Sequence, residues 1–122
     1  MAVQFQQIGQ TINYSNAGSA IAAGDIVVMG NLIGVAVVDI AATTGTGAVA
    51  VEGVFSGVPK VTAAVFVQGE KLIWDVSAGK FDDSAASPAT GDITGGAVAW
   101  VAGANLETTC TIKLTPGNSD KA

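Results

Sequence analysis

Gly24-Asp25-Ile26-Val27-Val28-Met29-Gly30-Asn31-Leu32-Ile33-Gly34-Val35-Ala36-Val37-Val38 is the stretch that decides the fold. Two short apolar runs rich in β-branched residues flank Gly30-Asn31, and Gly24-Asp25 punctuates the entry. Branching at Cβ stiffens χ1 and suits a pleated surface. A Gly-Asn pair between such runs is hairpin chemistry. The stretch therefore predicts strand Ile26–Met29, a tight turn, and a returning strand over Leu32–Val38.

The same grammar continues in both directions. Upstream, Val3, Phe5, Ile8, Ile12 and Tyr14 punctuate a Gln/Asn-rich segment that Gly9 divides. Residues 1–18 thus read as an extended N-terminal arm or two short strands. Downstream, Asp39–Gly47 is a loop. Ala48–Phe55 alternates as one strand with Val49, Val51 and Phe55 on one face, and Gly57-Val58-Pro59-Lys60 ends it because proline cannot donate to a ladder. Further strands are expected at Val61–Val67, Lys71–Asp75, Ala97–Ala102 and Thr108–Thr115, with a return beginning at Lys80-Phe81. Asp82–Gly91 reads as a flexible loop, residues 19–115 as a single β domain, and residues 116–122 as a polar C-terminal tail. No segment suits a helix. Strands every 8–12 residues predict an all-β, mainly antiparallel fold, a small β-sandwich or barrel-like domain.

A weak internal echo accompanies this pattern. Ala23-Gly24-Asp25-Ile26-Val27-Val28-Met29 resembles Gln68-Gly69-Glu70-Lys71-Leu72-Ile73-Trp74. Two ordinary hairpins with similar turn chemistry account for it better than a true repeat does.

Composition agrees and restricts function. In 122 residues there are 16 valines and 21 alanines against 4 leucines, which favours strands over helices. There is no histidine and no arginine. The chain thus lacks the usual proton shuttle near neutral pH and the usual bidentate clamp for phosphate and carboxylate. The net charge of −5 and five scattered lysines disfavour nucleic acid, whose phosphates demand cationic neutralisation. No apolar run reaches the roughly 18 residues of a membrane span. The N-terminus has neither a basic region nor an apolar region of a secretory leader, so an intracellular product is expected.

The candidate chemical groups also read as structural. Cys110, the single cysteine, lies in an alternating strand without a histidine to activate it, and predicts a buried, inert thiol. Asp82, Asp83 and Asp92 do not follow the alternation of a calcium loop. Glu52, Glu70 and Glu107 would act as acid and base only if paired about 5–10 Å apart in a cleft, and nothing in the sequence implies one. Asn13-Tyr14-Ser15 is a glycosylation sequon by form only. Trp74 and Trp100 suit core or interface anchoring better than a sugar platform. No catalytic, cofactor or metal site is expected.

Ala22-Ala23-Gly24-Asp25-Ile26-Val27-Val28, Leu32-Ile33-Gly34-Val35-Ala36, Asp39-Ile40-Ala41, Ala50-Val51-Glu52-Gly53-Val54-Phe55, Pro59-Lys60, Gln68-Gly69-Glu70-Lys71-Leu72-Ile73-Trp74-Asp75 and Gly79-Lys80 follow one another in this order. In order and spacing these segments resemble the capsid cement (head decoration) proteins of tailed bacteriophages, over about residues 5–114. The sequence departs in one place, where Ser56-Gly57-Val58 stands in for a more compact lead into Pro59-Lys60. The resemblance implies a structural virion protein on the outer surface of an icosahedral head, made in the host cytoplasm. It implies the major capsid protein as partner, a homo-oligomer with a trimer favoured, and no catalysis, cofactor, nucleic acid or membrane. Val3, Phe5, Ile8 and Ile12 are the expected contacts to the capsid or an adjacent subunit. A virion or cell-surface module recognising a glycan or receptor is the alternative.

Overall fold

The computed structural model describes residues 2–122, and Met1 of the expected arm lies outside them. Ten strands run in chain order: β1 Thr11–Ser15, β2 Ile26–Met29, β3 Leu32–Ala36, β4 Thr46–Ala50, β5 Val54–Pro59, β6 Lys71–Asp75, β7 Lys80–Asp82, β8 Ile93–Ala99, β9 Thr109–Leu114 and β10 Asp120–Lys121. All strand pairings are antiparallel, and no helix occurs among the described residues. The fold is all-β, with sandwich and barrel character.

Four strands form a small sheet in the order β1-β4-β3-β2, and the rest form a larger sheet in the order β5-β9-β8-β6-β7 with β10 also on β8. The larger sheet curls until Lys60, following β5, meets Phe81 of β7 through a parallel bridge. The Val61 N–H donates to Phe81 O at 2.9 Å there. A half-barrel results, filled by Val58, Phe66, Leu72, Trp74, Phe81, Ile93, Ala97, Ala99, Ile112 and Leu114. Trp74 and Phe81 pack edge to face, their centroids 4.9 Å apart.

The deciding hairpin forms as read, with Met29 opposite Leu32 and Ile26 opposite Val35. It is buried on both faces. Ile26, Val28, Ile33 and Val35 pack toward the barrel core, whereas Val27, Met29 and Ala36 pack with Val49 and Ile40 in a second, smaller core. The two layers meet where Ile33 rests on β8. A Cβ on Gly96 would lie 2.7 Å from the Ile33 side chain, so only glycine leaves room at this joint.

Three expected strands differ from the structure: the one placed at Ala97–Ala102 runs earlier, as β8 Ile93–Ala99, and two others do not form as read. Ala48–Phe55 is not one strand but the end of β4 and the start of β5, in different sheets. Gly53 takes φ +122°, which side chains rarely adopt, and there the chain changes layer. Val49 and Phe55 consequently face different cores. Val61–Val67 is not a strand but a looped segment with a single bridge from Phe66 to Gly103. Carbonyls that a ladder would need are occupied, since Val61 O and Thr62 O both accept from Lys60 Nζ. The Ser56-Gly57-Val58 departure is a β-bulge, the register of β5 on β9 shifting between Phe55 and Val58.

The internal echo has a physical basis, and it occurs four times. Each copy is a four-residue turn closed by an N–H to C=O bond from its fourth residue to its first. Its third residue has positive φ, and the carboxylate of the fourth accepts from the N–H of the first. Ala22–Asp25, Val67–Glu70 and Ala89–Asp92 have carboxylate bonds of 3.0, 3.0 and 2.9 Å, with Gly24, Gly69 and Gly91 at the third place. Ala104–Glu107 repeats the arrangement, but its third residue is Leu106 at φ +76°.

Candidate interaction surfaces

The groups that could carry chemistry are committed to structure. The chain has ten acidic residues. Eight of them accept hydrogen bonds from main-chain N–H groups: Asp25, Asp39, Glu70, Asp75, Asp82, Asp83, Asp92 and Glu107. The acidity of the sequence is thus largely turn chemistry. Glu70 shows the balance. Partial burial pushes its carboxyl up, but the Ser84 and Val67 N–H groups and the Ser84 hydroxyl together hold it below its usual value. Asp75 is held low by the Ser77 hydroxyl and the Ala78 N–H. No group of three metal-ligating side chains occurs among the described residues.

Cys110 is buried, and its Sγ donates to Val58 O at 3.5 Å. Desolvation pushes the thiol up to about 11, against a smaller downward pull from Lys60. A thiol so placed is a poor nucleophile near neutral pH. Trp74 is buried in the barrel, so it cannot form an exposed platform with Trp100.

One residue escaped the sequence reading. Lys60 is fully buried, with Nζ donating to Val61 O at 2.9 Å, Thr62 O at 3.3 Å and Glu107 O at 3.4 Å, and lying 5.4 Å from the Phe66 ring centroid. A buried ammonium needs such partners. It ties the loop after β5 to the turn before β9. The Pro59-Lys60 pair was visible in sequence, but nothing in a lone lysine signals burial.

What remains available is apolar surface. Val3, Phe5 and Ile8 lie in residues 2–10, which join no strand, and they are 78%, 84% and 78% exposed. Ile12 is set apart from them. It belongs to β1, opposite the buried Val49, and is partly covered. β1 is an edge strand, with all its residues exposed except the half-buried Tyr14. The arm departs beside an open cleft of about 720 Å³ where Gln10 and Thr11 face Glu52, Thr115 and Asn118. A second exposed set (Val65, Val67, Trp100, Val101 and Leu106) lies on the loops before β6 and after β8.

Most of the acidic groups are thus taken up by main-chain N–H groups, and apolar side chains stand exposed on the arm and on these two loops. Residues 6–114 match the sequence model of a family described as phage cement protein, and the chain belongs to that family. Neither the curated proteins nor the solved structures include a match to it.

Proposed function

We propose that this chain decorates the outer surface of an icosahedral phage head as a trimer and stabilises the shell by binding the major capsid protein. The observation that carries the reading is the family match across residues 6–114. The physics is compatible with it. A ligand that binds only the assembled state stabilises that state by mass action. A trimer on a lattice gains avidity of about 10²–10⁴ from linkage alone.

Val3, Phe5, Ile8 and Ile12 are the proposed contacts to the capsid or an adjacent subunit. The first three have no cover within their own chain. A segment with apolar side chains and free main-chain groups can dock by strand addition, and Ile12 stands at the root of such a strand.

The test is to add purified protein to expanded heads that lack it, then measure binding stoichiometry and resistance to heat. Saturable binding at a lattice-defined ratio, with a raised disruption temperature, is expected. Truncation of residues 2–9 leaves β1 intact and should abolish occupancy while the domain stays folded. Heads that neither bind the protein nor toughen with it would refute the reading. Wild-type occupancy by the truncated protein would refute the role of the arm.

A further inference from the structure

The second apolar set has a feature the arm lacks. Three of the four carboxylate-latched turns place glycine at the position of positive φ, and the fourth places Leu106 there. A leucine in left-handed conformation costs free energy that glycine avoids. The side chain is 78% exposed, so no packing inside the chain offsets that cost. Strain retained at an exposed residue points to a role outside the folded chain.

Leu106 is not isolated. Its N–H donates to Thr62 O at 2.8 Å, Phe66 and Gly103 exchange both main-chain bonds, and Gln68 Nε2 donates to Trp100 O at 3.2 Å. These bonds hold the loop of Val65 and Val67 against the loop of Trp100, Val101 and Leu106. Lys60, beneath them, fixes the base of both loops through Thr62 O and Glu107 O. The result is a built rim at the barrel end where β9 begins. The arm departs beside Leu114, Thr115 and Asn118, where β9 finishes. At about 3.3 Å per residue, the six residues of β9 separate the two features by roughly 20 Å.

Charge identifies the occupant. Residues 61–68 and 100–106 contain no charged side chain, although Lys113 Nζ reaches to 5.6 Å from the Trp100 ring centroid, in a chain whose net charge is −5. Copies of such a chain repel one another through their net charge, and a face with few charges of its own adds least to that repulsion. Contacts between identical subunits are also the more apolar class of interface. We propose that this rim, centred on Leu106 and Trp100, is the surface through which copies of the chain associate with one another. The inference builds on the self-associating cement protein argued above, and it names the contact.

Sedimentation velocity of the isolated protein tests it without any capsid. The wild type should sediment as an oligomer, and added salt should strengthen association by screening the net charge. Leu106→Gly restores the residue found in the three sister turns, so the monomer should fold at least as well. Its association should weaken by about tenfold or more, the loss expected when one leucine no longer buries. Val67→Ser combined with Leu106→Gly should give a folded monomer by circular dichroism. A wild type that stays monomeric at high micromolar concentration overturns the proposal, as does a double variant that associates like wild type. So does a double variant that keeps its oligomeric state but loses binding to heads, which would turn the rim toward the shell. Failure of the wild type to bind heads, with association intact, would sink the decoration role and leave this contact standing.

Discussion

The barrel and the small sheet are built from similar strands but end differently. The barrel closes on itself through the Lys60–Phe81 bridge and holds the bulky side chains Phe66, Leu72, Trp74 and Phe81. The small sheet stays open at β1 and holds a core of Val27, Ala36, Ile40 and Val49. Buried bulk is concentrated in one layer and an open edge in the other. The arm grows from the open layer, where free main-chain groups continue into β1. The difference shows how a small chain separates being folded from being attached: the closed layer supplies stability, and the open one keeps an unpaired margin.

That contrast can be broken most sharply inside the barrel. Phe81→Ala removes a fully buried ring that packs on Trp74, at the residue whose main chain makes the closing bridge, and should cost about 3–5 kcal/mol in denaturant unfolding. Ile12→Ala, on the open layer, should cost less than about 1 kcal/mol, because the side chain is 41% exposed. Comparable losses at both sites would show that the layers are equally stabilising. Lys60→Met keeps the stem but takes a donor from three carbonyls; Val61 O and Thr62 O keep the Ala64 and Leu106 N–H groups while Glu107 O loses its donor, and the change should destabilise by about 1–3 kcal/mol. Amide exchange should then rise first in residues 61–68 and 100–107, and a uniform rise would contradict the stapling role. Gly96→Ala probes the joint between the layers. With Ile33 buried and unable to turn aside, the cost should be about 1–3 kcal/mol by thermal melting.

The smallest effects come from titration. Glu70 is held below its ordinary value of 4.5, so its contribution is complete above that pH and is lost as the pH falls through the lower, folded value. Cys110 runs the other way. Its thiol stays protonated up to about 11 in the folded chain, so stability should fall as the pH rises from about 9, where the unfolded chain ionises first. With no histidine in the sequence, the melting temperature should be nearly flat between pH 6 and 8. A transition inside that window would contradict this account. Glu70→Gln should lower stability only slightly at pH 7 and flatten part of the acid limb.

Much of this architecture is legible in the residues. The Ile26–Met29/Leu32–Ala36 hairpin, β6, β9 and the buried Cys110 follow from alternation and turn chemistry, because each is decided locally. Val61–Val67 has strand composition but not strand structure, since a buried lysine from outside the run takes its carbonyls. The break at Gly53 was hidden because alternation continues across it while the sheet does not. β10 was missed because two polar residues, Asp120 and Lys121, carry no pattern. Among surfaces, the apolar spacing of Val3, Phe5 and Ile8 was visible in sequence. The rim was not, because it joins segments about forty residues apart, and the strain at Leu106 exists only once the turn is formed.

The bridge joining Lys60 to Phe81 has one more effect. By bringing the end of β5 against β7, it partly covers two margins onto which a neighbouring polypeptide could add. The small sheet keeps such margins at both of its edges, β1 and β2.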